Sequence, residues 1–358
     1  MILKNVHLKK FRNYGDEGAQ FSDGINVILG ENAQGKTNLL EALYYFAAFS
    51  SFKGAKIRDM IKNGENEGAI SCCYESVGRG YEMKVSFKDS YKKITVNGVS
   101  KKNRAQISLP FAAVLFAPEH LSLIKGAPGL RRQFVDGALT KLSASYAQAL
   151  ATANKVLTQK TALLKRVREG LSAADELHVW NERLLDLNEP ITRERETFTG
   201  TLLSWARDFH FDISSNKENL SIQYIPSGGF IRDDMQKELN AQFEREIASG
   251  LCLFGPHRDQ INIKIDALDA RVYASQGQSR SAVIALKLAE CAILKDSLDG
   301  QWPVLLLDDV LSELDESRRD YVINHIGNMQ VILSCCEGPQ FGPRGRTLHI
   351  KSGKISEV

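Results

Sequence analysis

Between residues 30 and 37 the chain reads Gly30-Glu31-Asn32-Ala33-Gln34-Gly35-Lys36-Thr37. This is the G-x-x-x-x-G-K-[ST] spacing of a phosphate-binding loop. Glycines let such a loop curl so that backbone N–H groups point at anionic oxygens. Lys36 adds a point charge for the β- and γ-phosphates, and Thr37 offers a hydroxyl to Mg²⁺. The context is the one the loop requires. Ile25-Asn26-Val27-Ile28-Leu29 reads as a buried strand entering it. After it, Leu39, Leu40, Leu43, Phe46 and Ala47 fall at helical spacing over 38–49. A strand, an anion-binding loop and the positive end of a helix constrain the fold to the α/β class.

A chain of 358 residues is too long for one small core, so two domains or a domain with an insertion are expected. Hydrophobic content of 43% with 25% charged residues is that of a soluble globular protein. No apolar run reaches membrane-spanning length, and the start lacks the apolar core of a signal peptide, so a cytoplasmic location is expected. Six cysteines, with no C-x-x-C, form neither a zinc pattern nor a secreted disulfide framework. The net charge of +3 conceals an asymmetry: residues 1–170 carry 26 Lys and Arg against 14 Asp and Glu, the remainder 20 against 29. A basic first half suggests a surface that faces a polyanion; a solvated lysine face reads equally well.

In chain order, residues 1–14 read as an edge strand and turn. Residues 69–74, 81–87 and 93–96 read as a small antiparallel sheet, with Asn97-Gly98 as a hairpin turn. From Pro128 to Phe211 apolar residues fall at helical spacing, predicting two or three antiparallel helices interrupted at Pro190 and Gly200. A strand over 220–225, a helix over 231–248 and an alternating strand over 261–265 follow.

The second half identifies the kind of phosphate-loop protein. Residues 303–309, Pro-Val-Leu-Leu-Leu-Asp-Asp, read as a buried strand ending in two carboxylates, parallel to and beside the loop's own strand. Asp308 is placed to hold Mg²⁺ opposite Thr37, and Asp309 to orient or deprotonate an attacking water. Ahead of it, Ser275-Gln276-Gly277-Gln278 opens a helix rich in Ala, Leu and Ile, an anion-binding arrangement. Ser312-Glu313-Leu314-Asp315 follows the acidic strand as a D-loop would. This order resembles that of the ABC-type ATPases, in which the Ser-Gly-Gln turn of one subunit closes on nucleotide held by another. A GTPase needs Asn-Lys-x-Asp, and the nearest segment is Asn216-Lys217-Glu218-Asn219. A small-molecule kinase leaves the Ser-Gly-Gln turn unexplained. A transporter subunit also fits by motif, but the histidine usual after its last core strand is missing from this chain, which has Ser334-Cys335-Cys336 there.

These motifs resemble those of the RecF family of bacterial recombination and repair ATPases, relatives of the SMC heads. Further matching pieces are residues 8–14 (Leu-Lys-Lys-Phe-Arg-Asn-Tyr), 116–119 (Phe-Ala-Pro-Glu), 124–128 with Arg131 and Arg132, and 255–259 (Gly-Pro-His-Arg-Asp). The resemblance implies an ABC-type, SMC-like ATPase head over 1–125 and 251–358, with a mostly helical lobe inserted over 126–250. It implies ATP and Mg²⁺ as ligands and an ATP-dependent homodimer. The implied DNA targets are double-stranded regions and single-strand gap junctions, bound without sequence preference. Partners of the RecO and RecR type, loading of the RecA recombinase and a part in the SOS response are implied too. In that scheme Lys36, Thr37 and Asp308 hold ATP–Mg²⁺, Ser275, Gly277 and Gln278 come from the partner, and Asp309 serves the water. Three departures stand out. Asp309 occupies the place of the usual glutamate, which implies slow hydrolysis, and Cys335 and Cys336 stand where relatives carry threonines. Glu119 falls near the expected place of a glutamine.

Other candidates have two readings each. Tyr14 or Asn13 near an adenine competes with a role closing a strand turn. His257 and Arg258 either position nucleotide and dimer or cap a loop. Lys53, Lys56, Arg58 and Lys62, with Phe49 and Phe52 among them, track a DNA backbone or form a solvated face; Arg131 and Arg132 face DNA or make surface ion pairs. No helix-turn-helix or zinc module is present to read bases.

Overall fold

The computed structural model describes residues 1–102, 106–107, 110–336 and 345–357. The chain divides into two compact units, Met1–Leu121 with Val283–Val358, and Ser122–Ala282. Residues 251–282, expected with the head, fall in the second unit, and the Ser275 turn falls there with them.

The first unit contains two six-stranded sheets. One is antiparallel throughout. Ile2–Lys9 lies inside it, paired with Asp16–Gln20 on one side and Glu67–Ser76 on the other, so the first strand is not an edge. The sheet continues through Arg79–Lys88, Tyr91–Val96 and Val99–Lys101. Asn97 and Gly98 make the last turn with φ of 48° and 78°, the left-handed pair that a two-residue hairpin needs.

The other sheet positions the site. Its core runs in parallel: Thr347–Lys351, Ile25–Leu29, Val331–Cys335, Val304–Asp308, Ala113–Phe116. All five residues of Val304–Asp308 are buried, as strands covered on both faces should be. The acidic strand is parallel to the loop's strand but is not its neighbour; Val331–Cys335 lies between them. The register sets Asp308 beside Ser334 and Ser334 beside Ile28. The loop and both acidic residues therefore emerge at the carboxyl end of one parallel sheet, where α/β folds bind ligands.

The second unit has three long helices, Pro128–Leu142, Ala144–Arg168 and Leu177–Ile213, followed by Arg232–Ser249. The third runs unbroken through Pro190 and Gly200, over 37 residues. A proline within a helix costs about 3 kcal/mol. Here Leu184, Leu185 and Ile191 are fully buried on both sides of it, and that packing holds the helix through the break. The core gathers Leu164, Leu177, Leu184, Met235 and Phe254. Leu220–Ile225 pairs antiparallel with Gln260–Ile265 in a three-stranded sheet of this unit. Among the described residues no helix is long and apolar enough to cross a membrane.

Candidate nucleotide site

The phosphate loop leads from Ile25–Leu29 into helix Lys36–Ala48. At its first residue a side chain is excluded: a Cβ on Gly30 would lie 2.4 Å from the Ile350 carbonyl oxygen. At Gly35, φ is 127°, and a Cβ would meet Asn13 Nδ2 at 2.7 Å and Tyr14 OH at 2.9 Å. Lys36 is buried and folds over the loop, its Nζ donating to the carbonyls of Gly30 and Glu31 at 2.5 and 3.3 Å. The ammonium thus sits at the concave face of the loop.

Thr37 Oγ1 donates to Asp308 Oδ1 at 3.1 Å, bringing together two residues far apart in sequence. The same carboxylate oxygen accepts from Ser334 Oγ at 2.8 Å, and Ser334 Oγ accepts from the Asp309 N–H at 3.1 Å. Burial raises Asp308 above the usual carboxylate range, while the Ser334 and Thr37 hydroxyls pull the other way. A hydroxyl and a carboxylate at this separation are hard oxygen donors of the kind Mg²⁺ takes, and Mg²⁺ commonly uses one or two protein ligands beside phosphates and water. Among the described residues no larger cluster of His, Cys, Asp or Glu is arranged to hold a metal by itself.

Asp309 is half-buried with φ of 52°. Cys336 Sγ lies 3.2 Å from Lys36 Nζ, 3.1 Å from Asn32 Oδ1 and 3.9 Å from Asp309 Oδ2. Cys336 therefore reaches both ends of the site, whereas burial raises the Cys335 thiol to about 11. Glu119 and Lys53 both act electrostatically on Asp308. Ser312 of the expected D-loop donates to the Asp309 carbonyl at 2.7 Å, and Asp315 caps helix Glu316–His325 by accepting from Arg318 N at 3.0 Å.

Residues 12–14 brace the loop from beneath. Tyr14 OH donates to the Gly35 carbonyl at 2.8 Å and Asn13 Nδ2 to the Gln34 carbonyl at 2.8 Å. Asn13 Oδ1 accepts from Asn38 at 2.9 Å, and Arg12 forks onto the fully buried Glu41 at 2.7 and 2.8 Å. Tyr14 is fully buried, which raises its hydroxyl above the ordinary tyrosine range and leaves no ring face for a base. Of its two readings the strand-turn one fits: Tyr14 N donates to the Phe11 carbonyl at 2.8 Å, and its hydroxyl supports the loop.

In the second unit Ser275 is exposed and opens helix Gln276–Ser297. Ser275 Oγ accepts from Gln278 N at 3.1 Å, and Ser275 N donates to Gln278 Oε1 at 2.8 Å. Gln278 Nε2 donates to Glu218 Oε1 at 3.1 Å, and Glu218 pairs with the fully buried His210 at 3.1 Å. Gln278 is consequently a staple of the turn, and Ser275 with Gly277 forms its outward part. Ser334 and Glu218 were missed by sequence reasoning. Neither carries a local signal in the sequence; both roles arise from residues distant along the chain.

The candidate DNA cations separate. Lys56 and Arg58 are exposed, Lys62 is half-buried, and Lys53 is exposed with its Nζ donating to Asn38 Oδ1 at 3.2 Å. Phe52 packs edge-on against Tyr44 with centroids 5.8 Å apart, so its ring is part of the fold. Arg131 is 6% exposed and donates to the Ile261 carbonyl at 2.8 Å and to three turn carbonyls. Arg132 donates inward to the Asp259 carbonyl at 2.8 Å. An Arg fork satisfies several buried carbonyls at once, which explains both placements. His257 and Arg258 converge on the Cys252 carbonyl at 2.8–3.1 Å, which is the loop-capping geometry.

Fold and site together define an ABC-type ATPase head of the SMC kind. The chain matches the family described as RecF/RecN/SMC N terminal domain over residues 2–352. It is 34% identical to the DNA replication and repair protein RecF of Agathobacter rectalis, covering 100% of this chain and 99% of that one. Against RecF of Lachnoclostridium phytofermentans identity is 37%, over 94% and 92%. The solved structure of the recombination mediator protein RecF-ATPrS in RecFOR pathway superposes with a TM-score of 0.93 at 31% identity, covering 99% and 98%. The Smc head derived from Pyrococcus furiosus, at 15% identity, TM-score 0.56 and coverage of 100% and 96%, shares the fold. The chain belongs to the RecF family.

Proposed function

We propose that the chain is an ATP-dependent DNA-binding protein of replication and recombinational repair, with slow ATP hydrolysis as a switch. The observation that carries this reading is the Thr37–Asp308 contact of 3.1 Å at the mouth of the phosphate loop. The relatives' names, and the solved RecF-ATP structure, supply the nucleotide and the setting. Lys36 is the cation for the β- and γ-phosphates. Thr37 and Asp308 are the donors for Mg²⁺, which neutralises phosphate charge when bound. Asp309 orients the attacking water; its short side chain reaches less far than a glutamate, consistent with slow turnover. Ser275 and Gly277, outward on the second unit, close on the γ-phosphate of a second copy. Neither copy alone satisfies the triphosphate, so ATP favours the dimer and hydrolysis releases it. The dimer grips double-stranded DNA and gap junctions through phosphate contacts, with Lys53, Lys56, Arg58 and Lys62 as candidates, and works with RecO- and RecR-type partners to load recombinase.

Sedimentation velocity with and without Mg–ATP tests the clamp. The expected result is a monomer that becomes a dimer at saturating Mg–ATP, and Lys36→Arg blocks the change. A chain that stays monomeric under those conditions rules the clamp out. The inward placement of Arg132 favours a second reading, an ATP-gated scaffold with little DNA affinity of its own. DNA titrations at two salt concentrations separate the two: binding that needs ATP and weakens with salt supports the clamp, and no binding without partners supports the scaffold.

A further inference from the structure

The second unit encloses a polar cavity of about 180 Å³ that the nucleotide site does not use. Arg131, Arg271, Asn262, Gln260 and Asp269 line it. Arg131 is fixed there by its backbone contacts: Nε holds the Ile261 carbonyl, and Nη1 lies 3.1–3.2 Å from the carbonyls of Leu123, Ile124 and Gly126. Those contacts engage Nε and Nη1. Nη2 has no hydrogen-bond partner among the described residues and is open to the cavity. The guanidinium of Arg271 and the side-chain amides of Asn262 and Gln260 likewise make no hydrogen bond among the described residues.

The charges are unequal. Burial and the neighbouring Arg271 both lower the basicity of Arg131, and Asp269 acts in the opposite sense. Asp269 is the one carboxylate of the lining, and its Oδ1 already accepts from the Arg271 N–H at 2.9 Å. Two guanidiniums, the buried Arg131 and the exposed Arg271, therefore line one cavity with a single, partly engaged carboxylate, the exposed Asp269. The donors left open on the two guanidiniums face the same cavity. A tetrahedral oxyanion accepts from several converging donors at once, and guanidinium forks match phosphate geometry. We propose that this cavity binds a phosphate group between Arg131 and Arg271, at a second anion site separate in sequence from the phosphate loop. The phosphate is either free or part of a DNA strand, and the chemistry of recognition is the same.

Crystals of the full chain soaked in tungstate, a tetrahedral dianion, should show an anomalous peak about 3 Å from Arg131 Nη2 and the Arg271 guanidinium. Arg271→Glu should remove that peak and keep one at the phosphate loop, which reports uptake of the ion. Arg131 is left unchanged because its carbonyl contacts support the fold. Fluorescence anisotropy with a labelled gapped duplex identifies the source. If DNA supplies the phosphate, Arg271→Glu weakens binding about tenfold and lowers the salt slope by about one. If free phosphate is the ligand, DNA binding is unchanged. Inorganic phosphate then raises the melting temperature of Lys36→Ala but not of Lys36→Ala with Arg271→Glu. A tungstate peak at the loop alone overturns the proposal. So does a cavity peak that survives Arg271→Glu, or one with neither a DNA nor a phosphate effect, an adventitious ion only.

Discussion

Ser334 decides how well Asp308 is aimed. Its hydroxyl donates to the carboxylate oxygen that also receives Thr37, and it accepts the backbone N–H of Asp309, so one fully buried side chain sets both acidic residues. Groups that orient a metal ligand are worth about 10- to 100-fold in metal affinity when removed. Ser334→Ala should therefore raise the Mg²⁺ concentration needed for nucleotide-dependent signal change by about that factor, read with a fluorescent ATP analogue. Metal-free nucleotide affinity should stay within about twofold, because Lys36 and the loop amides are untouched. Ser334→Thr, which keeps the hydroxyl, should restore the wild-type midpoint. Equal Mg²⁺ midpoints for Ser334→Ala and wild type would refute the assignment. At this scale the sequence was legible where a residue's chemistry depends on near neighbours. Lys36 and Thr37 are readable because the loop that holds them is contiguous. Ser334 was not, since its role arises only when two strands distant in sequence align in register. Tyr14 had two readings for the same reason, and only burial with its hydroxyl beneath Gly35 chooses the structural one over stacking.

Among the elements, local signals were reliable and long-range ones were not. The strand Ile25–Leu29 and the turn at Asn97-Gly98 lie where apolar pattern and turn chemistry put them. The order of the parallel sheet could not be read, because apolar strands carry no mark of their neighbours, and Val331–Cys335 took the place between loop and acid. Helix Leu177–Ile213 shows packing overriding propensity at Pro190. It also carries Arg195, 1% exposed, which joins elements through charge. Arg195 pairs with Asp136 of helix Pro128–Leu142 at 2.8 Å and with Asp259, just before strand Gln260–Ile265, at 2.6 Å. Asp259 is fully buried and also accepts from Tyr224 OH at 2.5 Å and Ser227 N at 2.8 Å. This explains the Gly255–Asp259 motif as an anchor of the second unit. Removing one member of such a buried group leaves an uncompensated charge, at a cost of about 3–5 kcal/mol. Arg195→Met should lower the urea unfolding free energy by that amount, with Arg195→Lys recovering part of it. A loss below about 1 kcal/mol would show that the network is replaceable by apolar packing.

For the molecule as a whole, the two halves of the proposed cage lie in different units: Lys36, Thr37 and Asp308 in one, Ser275 and Gly277 in the other. The trans arrangement has a consequence that a cis arrangement lacks. Ser275→Arg puts a bulky cation into both sites of a homodimer, and Lys36→Arg weakens phosphate binding in both, so each variant alone should fail to dimerise on ATP. In a mixed dimer the defects segregate. The wild-type Lys36 of the Ser275→Arg chain faces the wild-type Ser275 of the Lys36→Arg chain, and one site is whole, while the other carries both defects. If instead each chain closed on its own nucleotide, every site in the mixture would keep one defect and mixing would restore nothing. Tagging the two variants differently and co-purifying them at saturating Mg–ATP should recover mixed dimers, with up to about half the wild-type ATPase rate per dimer, since one of two sites is intact. Equal silence of the mixture and of the separate variants, with both chains folded and Lys36-intact chains still binding nucleotide, would place the Ser275 turn outside the nucleotide cage.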